Sequence, residues 1–147
     1  MMKPKTFHAR LEHVNLKVRH LGEALRFLQA AFPEFGIRHD EGEGLDRWVH
    51  IGTDEYYLAL TVTNADKAPA DKPYSGYPGV QHLGWAVPDV EGLRQRLLAG
   101  GFEESTFPNE HPHRKRVYFY DADGNDWEFV EYLSDDPSER NDYTLGG

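Results

Sequence analysis

Glu128 stands mid-run in Asp126-Trp127-Glu128-Phe129-Val130-Glu131-Tyr132, a carboxylate between two large aromatic residues. Strand side chains alternate between faces. Trp127, Phe129 and Glu131 therefore share one face, and Asp126, Glu128, Val130 and Tyr132 share the other. The aromatic face reads as the buried one, which leaves Glu128 either solvated or aimed at something. Two histidines stand at matching places in another pair of strand-like runs. His13 lies in Leu11-Glu12-His13-Val14-Asn15-Leu16-Lys17-Val18 and His82 in Val80-Gln81-His82-Leu83-Gly84-Trp85-Ala86-Val87. Both runs alternate polar and apolar residues, as half-buried strands do. The chain has no cysteine, which excludes disulfides, thiolate ligands and a cysteine nucleophile. Any metal must be held by His, Asp or Glu. A lone strand histidine is commonly an ordinary half-buried side chain; two at equivalent places call for a reason.

The reason is an internal repeat. His82 follows His13 by 69 positions (82 − 13). The same step back from Glu128 lands on Ala59, inside Tyr56-Tyr57-Leu58-Ala59-Leu60-Thr61-Val62. It also sets Val49-His50-Ile51 against Tyr118-Phe119-Tyr120, and Asp54 against Asp123. A helix is predicted after each histidine strand. Leu21, Ala24, Leu25, Leu28 and Phe32 form an apolar stripe ended by Pro33. Val90, Leu93, Leu97 and Leu98 form another, capped by Pro88-Asp89 and stopped by Gly100-Gly101. Each half then reads strand, helix and about three strands. Asp123-Gly124-Asn125 supplies the turn before the last strand. The expected plan is module one over about 11–64, a Pro-rich linker over 65–79, module two over about 80–133 and a polar tail over 134–147. The tail is expected to be loosely held unless it covers a site.

A single domain of 147 residues is long enough for a real core, and 39% hydrophobic content excludes a disordered chain. The formal net charge of −9 argues against nucleic acid as the main partner and would tolerate cationic small molecules. The N-terminal residues lack the apolar core of a signal peptide, and no apolar run approaches the ~20 residues of a membrane span. The expectation is a cytoplasmic protein with a small-molecule substrate, binding neither membrane nor nucleic acid.

The stretch from Tyr118 to Glu128, YFYDADGNDWE, resembles the signature Phe-x-Asp-Pro-Asp-Gly-Asn-x-x-Glu, with Ala122 where proline is usual. With two βαβββ modules and a histidine opening each, the chain from Leu11 to Leu133 resembles the vicinal oxygen chelate superfamily. That group includes glyoxalase I, methylmalonyl-CoA epimerase, extradiol dioxygenases, fosfomycin-modifying transferases and bleomycin-resistance proteins. The resemblance implies an α+β fold, two βαβββ modules forming a curved mixed sheet around a cleft, with His13, His82 and Glu128 as metal ligands on the concave face. The fourth corner falls on Ala59, where glyoxalase I has glutamate and the epimerase glutamine; a methyl group there argues against authentic glyoxalase I.

Two histidines and one carboxylate make a facial triad with open positions. It suits Fe(II), with Mn, Co, Ni or Zn as alternatives. Open positions let a substrate chelate through two adjacent oxygens. The reading leans to dioxygenase-like chemistry, with a glyoxalase-like lyase or isomerase and a fosfomycin-type transferase as further readings; no potassium-binding loop is identifiable for the last. The rival class is a non-catalytic binder of the bleomycin-resistance type, using an acidic aromatic cleft. Tyr57 shares a face with Ala59 and is a candidate acid or hydrogen-bond donor, or else an aromatic at the rim. His50, Arg114 and Arg116 are candidate substrate contacts. The run Glu110–Arg116 concentrates positive charge, either for an anionic substrate group or as a solvated loop. Relatives form two-fold dimers, some with the cleft shared between chains, so a homodimer is expected.

Overall fold

The structure, a computed structural model, describes residues 9–66, 74, 76 and 78–146. Most of the expected linker, residues 67–73, 75 and 77, lies outside the described residues. Four strands, β1 (His13–Val18), β2 (Gly36–Glu41), β3 (Trp48–Gly52) and β4 (Tyr57–Val62), form a sheet in the order β1-β4-β3-β2. Three more, β5 (His82–Ala86), β6 (Arg114–Tyr120) and β7 (Asp126–Tyr132), form a second sheet in the order β5-β7-β6. Helices α1 (Leu21–Ala31) and α2 (Val90–Ala99) follow the first strand of each sheet. The Asp89 carboxylate caps α2 by accepting the Gly92 N–H at 3.0 Å. Val90, Leu93 and Leu97 are buried as the stripe requires, whereas Leu98 is exposed. No helix among the described residues is long and apolar enough to cross a membrane.

Module two has two strands after its helix instead of the expected three. The residues that would form the third make only an isolated bridge between Glu104 and Phe119. Pro108 and Pro112 fall there, and proline cannot donate to a ladder.

The repeat is visible in the register. Asn15 pairs with Ala59 between β1 and β4, and Gly84 with Glu128 between β5 and β7, both parallel. The 69-residue step therefore holds for the first and last strands. It fails by one on the strand between them. His50 pairs with Ala59, and Tyr118 pairs with Glu128, so His50 corresponds to Tyr118 and not to Phe119. The cause is the hairpin: residues 121–125 join β6 to β7, one more than the 53–56 that join β3 to β4. A one-residue slip exchanges the faces of a strand, so Tyr118 joins Glu128 and Phe119 enters the core.

That hairpin is organised by Asp121. Its carboxylate accepts the backbone N–H of Asp123 and of Asn125 at 2.9 Å, and the Asn125 Nδ2 and Trp127 Nε1 at 3.0 Å. Gly124 supplies the left-handed residue of the turn, with φ of 79°.

Both sheets feed one apolar core. Val49, Ile51, Leu58 and Leu60 enter from the first sheet, and Val117, Phe119, Trp127 and Phe129 from the second. Phe27 of α1 meets Trp127 at 5.4 Å, and Phe32 meets Phe129 at 5.8 Å. Val14, Leu16, Leu83 and Trp85 pack against the same cluster. By alternation, the faces carrying His13 and His82 are the two turned away from it.

Candidate metal and anion site

On the outward face of the second sheet, His82 Nε2 lies 3.0 Å from Glu128 Oε2. β5 and β7 are paired strands, and Gly84 is the cross-strand partner of Glu128. A Cβ at Gly84 would come to 3.6 Å from Glu128 Oε2, so glycine leaves the space beside the carboxylate open. The imidazole is oriented from behind: its Nδ1 is 3.1 Å from the Gln81 side-chain oxygen. An oxygen can only accept, so the Nδ1 carries a proton and the Nε2 is the ring atom turned toward the Glu128 oxygen. At 3.0 Å the contact is satisfied either by a proton on Nε2 donated to the carboxylate or by a cation that both groups face. Imidazole and carboxylate are also the donor set of a divalent ion, with the second ring nitrogen tied to an orienting oxygen as in metal-ligating histidines.

Around this pair the face is polar and closely walled. Tyr118, buried on β6, has its hydroxyl beside Glu128, and burial together with the Glu128 charge pushes its phenol up to about 12. Asp126, also buried, accepts the Tyr74 hydroxyl at 2.7 Å and the Ser105 hydroxyl at 2.6 Å. Arg116 reaches to 3.7 Å from Glu128 Oε1. Arg114 and Arg116 belong to strand β6 and not to a solvated loop, and both line a cavity of about 540 Å³ together with Glu128, Gly84, Tyr132 and Tyr143. Lys115 between them points elsewhere and is exposed. The C-terminal tail, expected to be loosely held unless it covers a site, contributes Tyr143 and Gly146 to this cavity.

The other sequence-predicted residues gather on the outward face of the first sheet. His13 stacks on Tyr57 with ring centroids 4.8 Å apart, and Tyr57 meets His50 at 4.7 Å. Trp48 continues the row beside His50 at 5.0 Å, and the Arg38 guanidinium sits 4.0 Å over the Tyr57 ring. Burial, first, and the charges of Arg38, His39 and His13 lower the pKa of His50. His13 repeats the His82 arrangement, with Nδ1 2.8 Å from Glu12 Oε1; its Nε2 is turned to an open face, the side chain being 47% exposed. Ala59 is buried beside these rings.

One chain therefore brings His82, Glu128, Arg114 and Arg116 together on one face, and His13, Tyr57 and His50 on another. Among the described residues no group of three or more His, Cys, Asp or Glu side chains in one chain can hold a metal ion. The expected triad is divided between two sheets whose outward faces look away from a common core. Sequence reasoning misses Tyr118 and Asp126. Alternation does put Asp126 on the Glu128 face, but nothing marks it from its neighbours there. The 69-residue step sets Tyr118 against Val49, a core residue, and the longer hairpin overturns that match.

Comparison with known proteins agrees with this architecture. Residues 10–129 match the model of the Glyoxalase/Bleomycin resistance protein/Dioxygenase superfamily. No curated protein matches the sequence. Among solved structures, the fosfomycin resistance protein FosX from Mesorhizobium loti is 20% identical, with a TM-score of 0.65 over 91% of this chain and 98% of that one. FosX from Listeria monocytogenes, complexed with Mn(II) and sulfate, is 20% identical, with a TM-score of 0.66 over 91% and 98%. A glyoxylase/bleomycin resistance protein/dioxygenase domain from Frankia sp. EAN1pec is 20% identical, with a TM-score of 0.66 over 86% and 99%.

Proposed function

The chain belongs to the glyoxalase/bleomycin resistance protein/dioxygenase superfamily, and from that premise we propose that it is a metal-dependent enzyme acting on a small anionic substrate at a site completed by a second copy of itself. His82 and Glu128 of one chain and His13 of the other hold a divalent ion. The observation that carries this is the His82–Glu128 pair, 3.0 Å apart with the imidazole proton turned to Gln81. A two-fold dimer explains the division of ligands. Each chain offers one face with His13 and one with His82 and Glu128, so pairing two chains completes two sites. β1 and β5 are edge strands of their sheets, and free edges are commonly covered by partners.

When bound, the ion supplies Lewis-acid polarisation of a substrate oxygen. The chain's own residues do the rest. Arg114 and Arg116 hold the anionic end of the substrate in the cavity beside Glu128. Tyr118, whose phenol stays protonated far above neutral pH, donates a hydrogen bond to an oxygen placed beside Glu128. From the partner's face, Tyr57 offers a second hydroxyl.

The dioxygenase-like reading rests on the ligand types alone, whereas the guanidinium pair favours a substrate with an anionic end. One Listeria monocytogenes FosX structure is a complex with Mn(II) and 1S,2S-dihydroxypropylphosphonic acid, a compound that joins vicinal oxygens to such an anion. Sequestration of a cationic drug is disfavoured by the same arginines, despite the negative net charge of the whole chain. The test is metal loading with Mn(II) and Fe(II) in competition. Stoichiometric retention of one of them is expected, and a protein that holds no divalent ion overturns the reading.

A further inference from the structure

The cavity beside Glu128 is walled on one side by the chain's own C-terminal strap, residues 134–146. After β7, Asp136 caps the short helix α3 (Pro137–Arg140) by accepting the Ser138 N–H at 2.9 Å. The strap is then pinned to the segment before β6. Glu139 pairs with His113 Nε2 at 3.2 Å, and Arg114 Nη1 reaches the Arg140 carbonyl at 3.5 Å. His111 makes two bonds that fix its proton: Nε2 donates to the Asp142 carbonyl at 2.8 Å, and Nδ1 accepts the His113 N–H at 3.1 Å. Gly146, with φ of 76°, runs so close to the chain that a Cβ there would strike the Glu110 carbonyl. Only a glycine allows that approach.

The docked strap brings aromatic and cationic groups into register with the site. The Tyr143 ring lies 5.4 Å from the Arg114 guanidinium, and the Arg140 guanidinium lies 4.0 Å over the Tyr132 ring. A ring on its face leaves the edge of the Arg114 guanidinium to bind. The Arg114 Nε is buried without a hydrogen-bond partner among the described residues. Tyr143 is itself exposed, at the mouth of the cavity it lines.

We propose that the strap is the specificity wall of the anion site and that Tyr143 sets how large a group the bound anion can carry. This rests on the anion-binding role of Arg114 and Arg116 put forward above. A compact anion reaches the guanidinium edges past the ring. A bulky substituent meets the ring and the strap backbone behind it.

The test uses the full chain, without added metal, and calorimetric affinities for two probes, inorganic phosphate and phenylphosphonate. The parent is expected to prefer phosphate by roughly tenfold or more, the scale on which a pocket wall discriminates. Tyr143→Ala should tighten phenylphosphonate binding and change phosphate binding less than roughly threefold, so that the preference collapses. Gly146→Val, which pushes the strap off Glu110, should do the same by a different route. If Tyr143→Ala keeps the parental preference, or if the parent binds neither anion, the proposal is wrong whatever Gly146→Val does. Mn(II) retention on the same samples separates the two readings. A parent that holds no Mn(II) but shows the shift in preference refutes the metal site alone. A parent that holds Mn(II) and shows no shift refutes the strap alone.

Discussion

Three side chains carry the chemical reading, and alternation along the strands is enough to make the facing of two of them legible. Trp127 and Phe129 must be inside, so Glu128 must be outside; small residues at Gly84 and Ala86 mark the His82 face as open. If His82 and Glu128 hold a divalent ion as proposed, losing either removes a donor that water replaces poorly. His82→Ala and Glu128→Ala are therefore expected to lose stoichiometric Mn(II) in a chelator competition while keeping the far-UV circular dichroism of the parent. Tyr118, the third, makes a separate prediction. Its folded phenol is raised to about 12, whereas an unfolded tyrosine ionises near pH ~10. The unfolded chain thus releases this proton first, and the contribution of Tyr118 to stability is full below about pH 10 and declines as pH rises toward 12. Spectrophotometric titration of the folded protein should show equal phenolate absorbance for parent and Tyr118→Phe up to about pH 11. A parent with more phenolate than the variant in that range would place Tyr118 in a wetter setting than the one described.

At the scale of elements, periodicity is the reliable signal and counting between repeats the unreliable one. The helices, the histidine strands and the last strand of each module lie where apolar spacing places them. The mismatch comes from one extra residue in the 121–125 hairpin, which turns Tyr118 outward and Phe119 inward. The missing strand of module two traces to Pro108 and Pro112. The strap leaves no mark in the sequence, because the Glu139 carboxylate and the Asp142 backbone carbonyl gain their role only when a distant segment presents His113 and His111. Asp121 is the keystone of the hairpin that positions Glu128. Asp121→Ala leaves the buried Trp127 Nε1 without its acceptor and two turn amides without theirs, and is expected to cost about 2–3 kcal/mol in urea unfolding. Trp127→Ala should cost about 3–5 kcal/mol, because the side chain is fully buried and leaves a cavity. A Trp127→Ala protein with parental stability would mean that the faces of β7 are reversed.

The molecule presents His13 on one outward face and His82 with Glu128 on another, and under the proposed function a two-fold dimer joins them where a monomer does not. Sedimentation equilibrium at ~50 µM should report a dimer, a concentration chosen well above the dissociation constants of obligate pairs. The most direct measurement is complementation between chains. His13→Ala and Glu128→Ala proteins are prepared separately, then unfolded, mixed in equal amounts and refolded together. Each variant alone should hold no tight Mn(II). The mixture should recover roughly a quarter of the parental sites, because random pairing makes half the dimers mixed and each mixed dimer has one intact site of two. A mixture that binds no Mn(II), or a His13→Ala protein that binds it as the parent does, would contradict a site built from both chains.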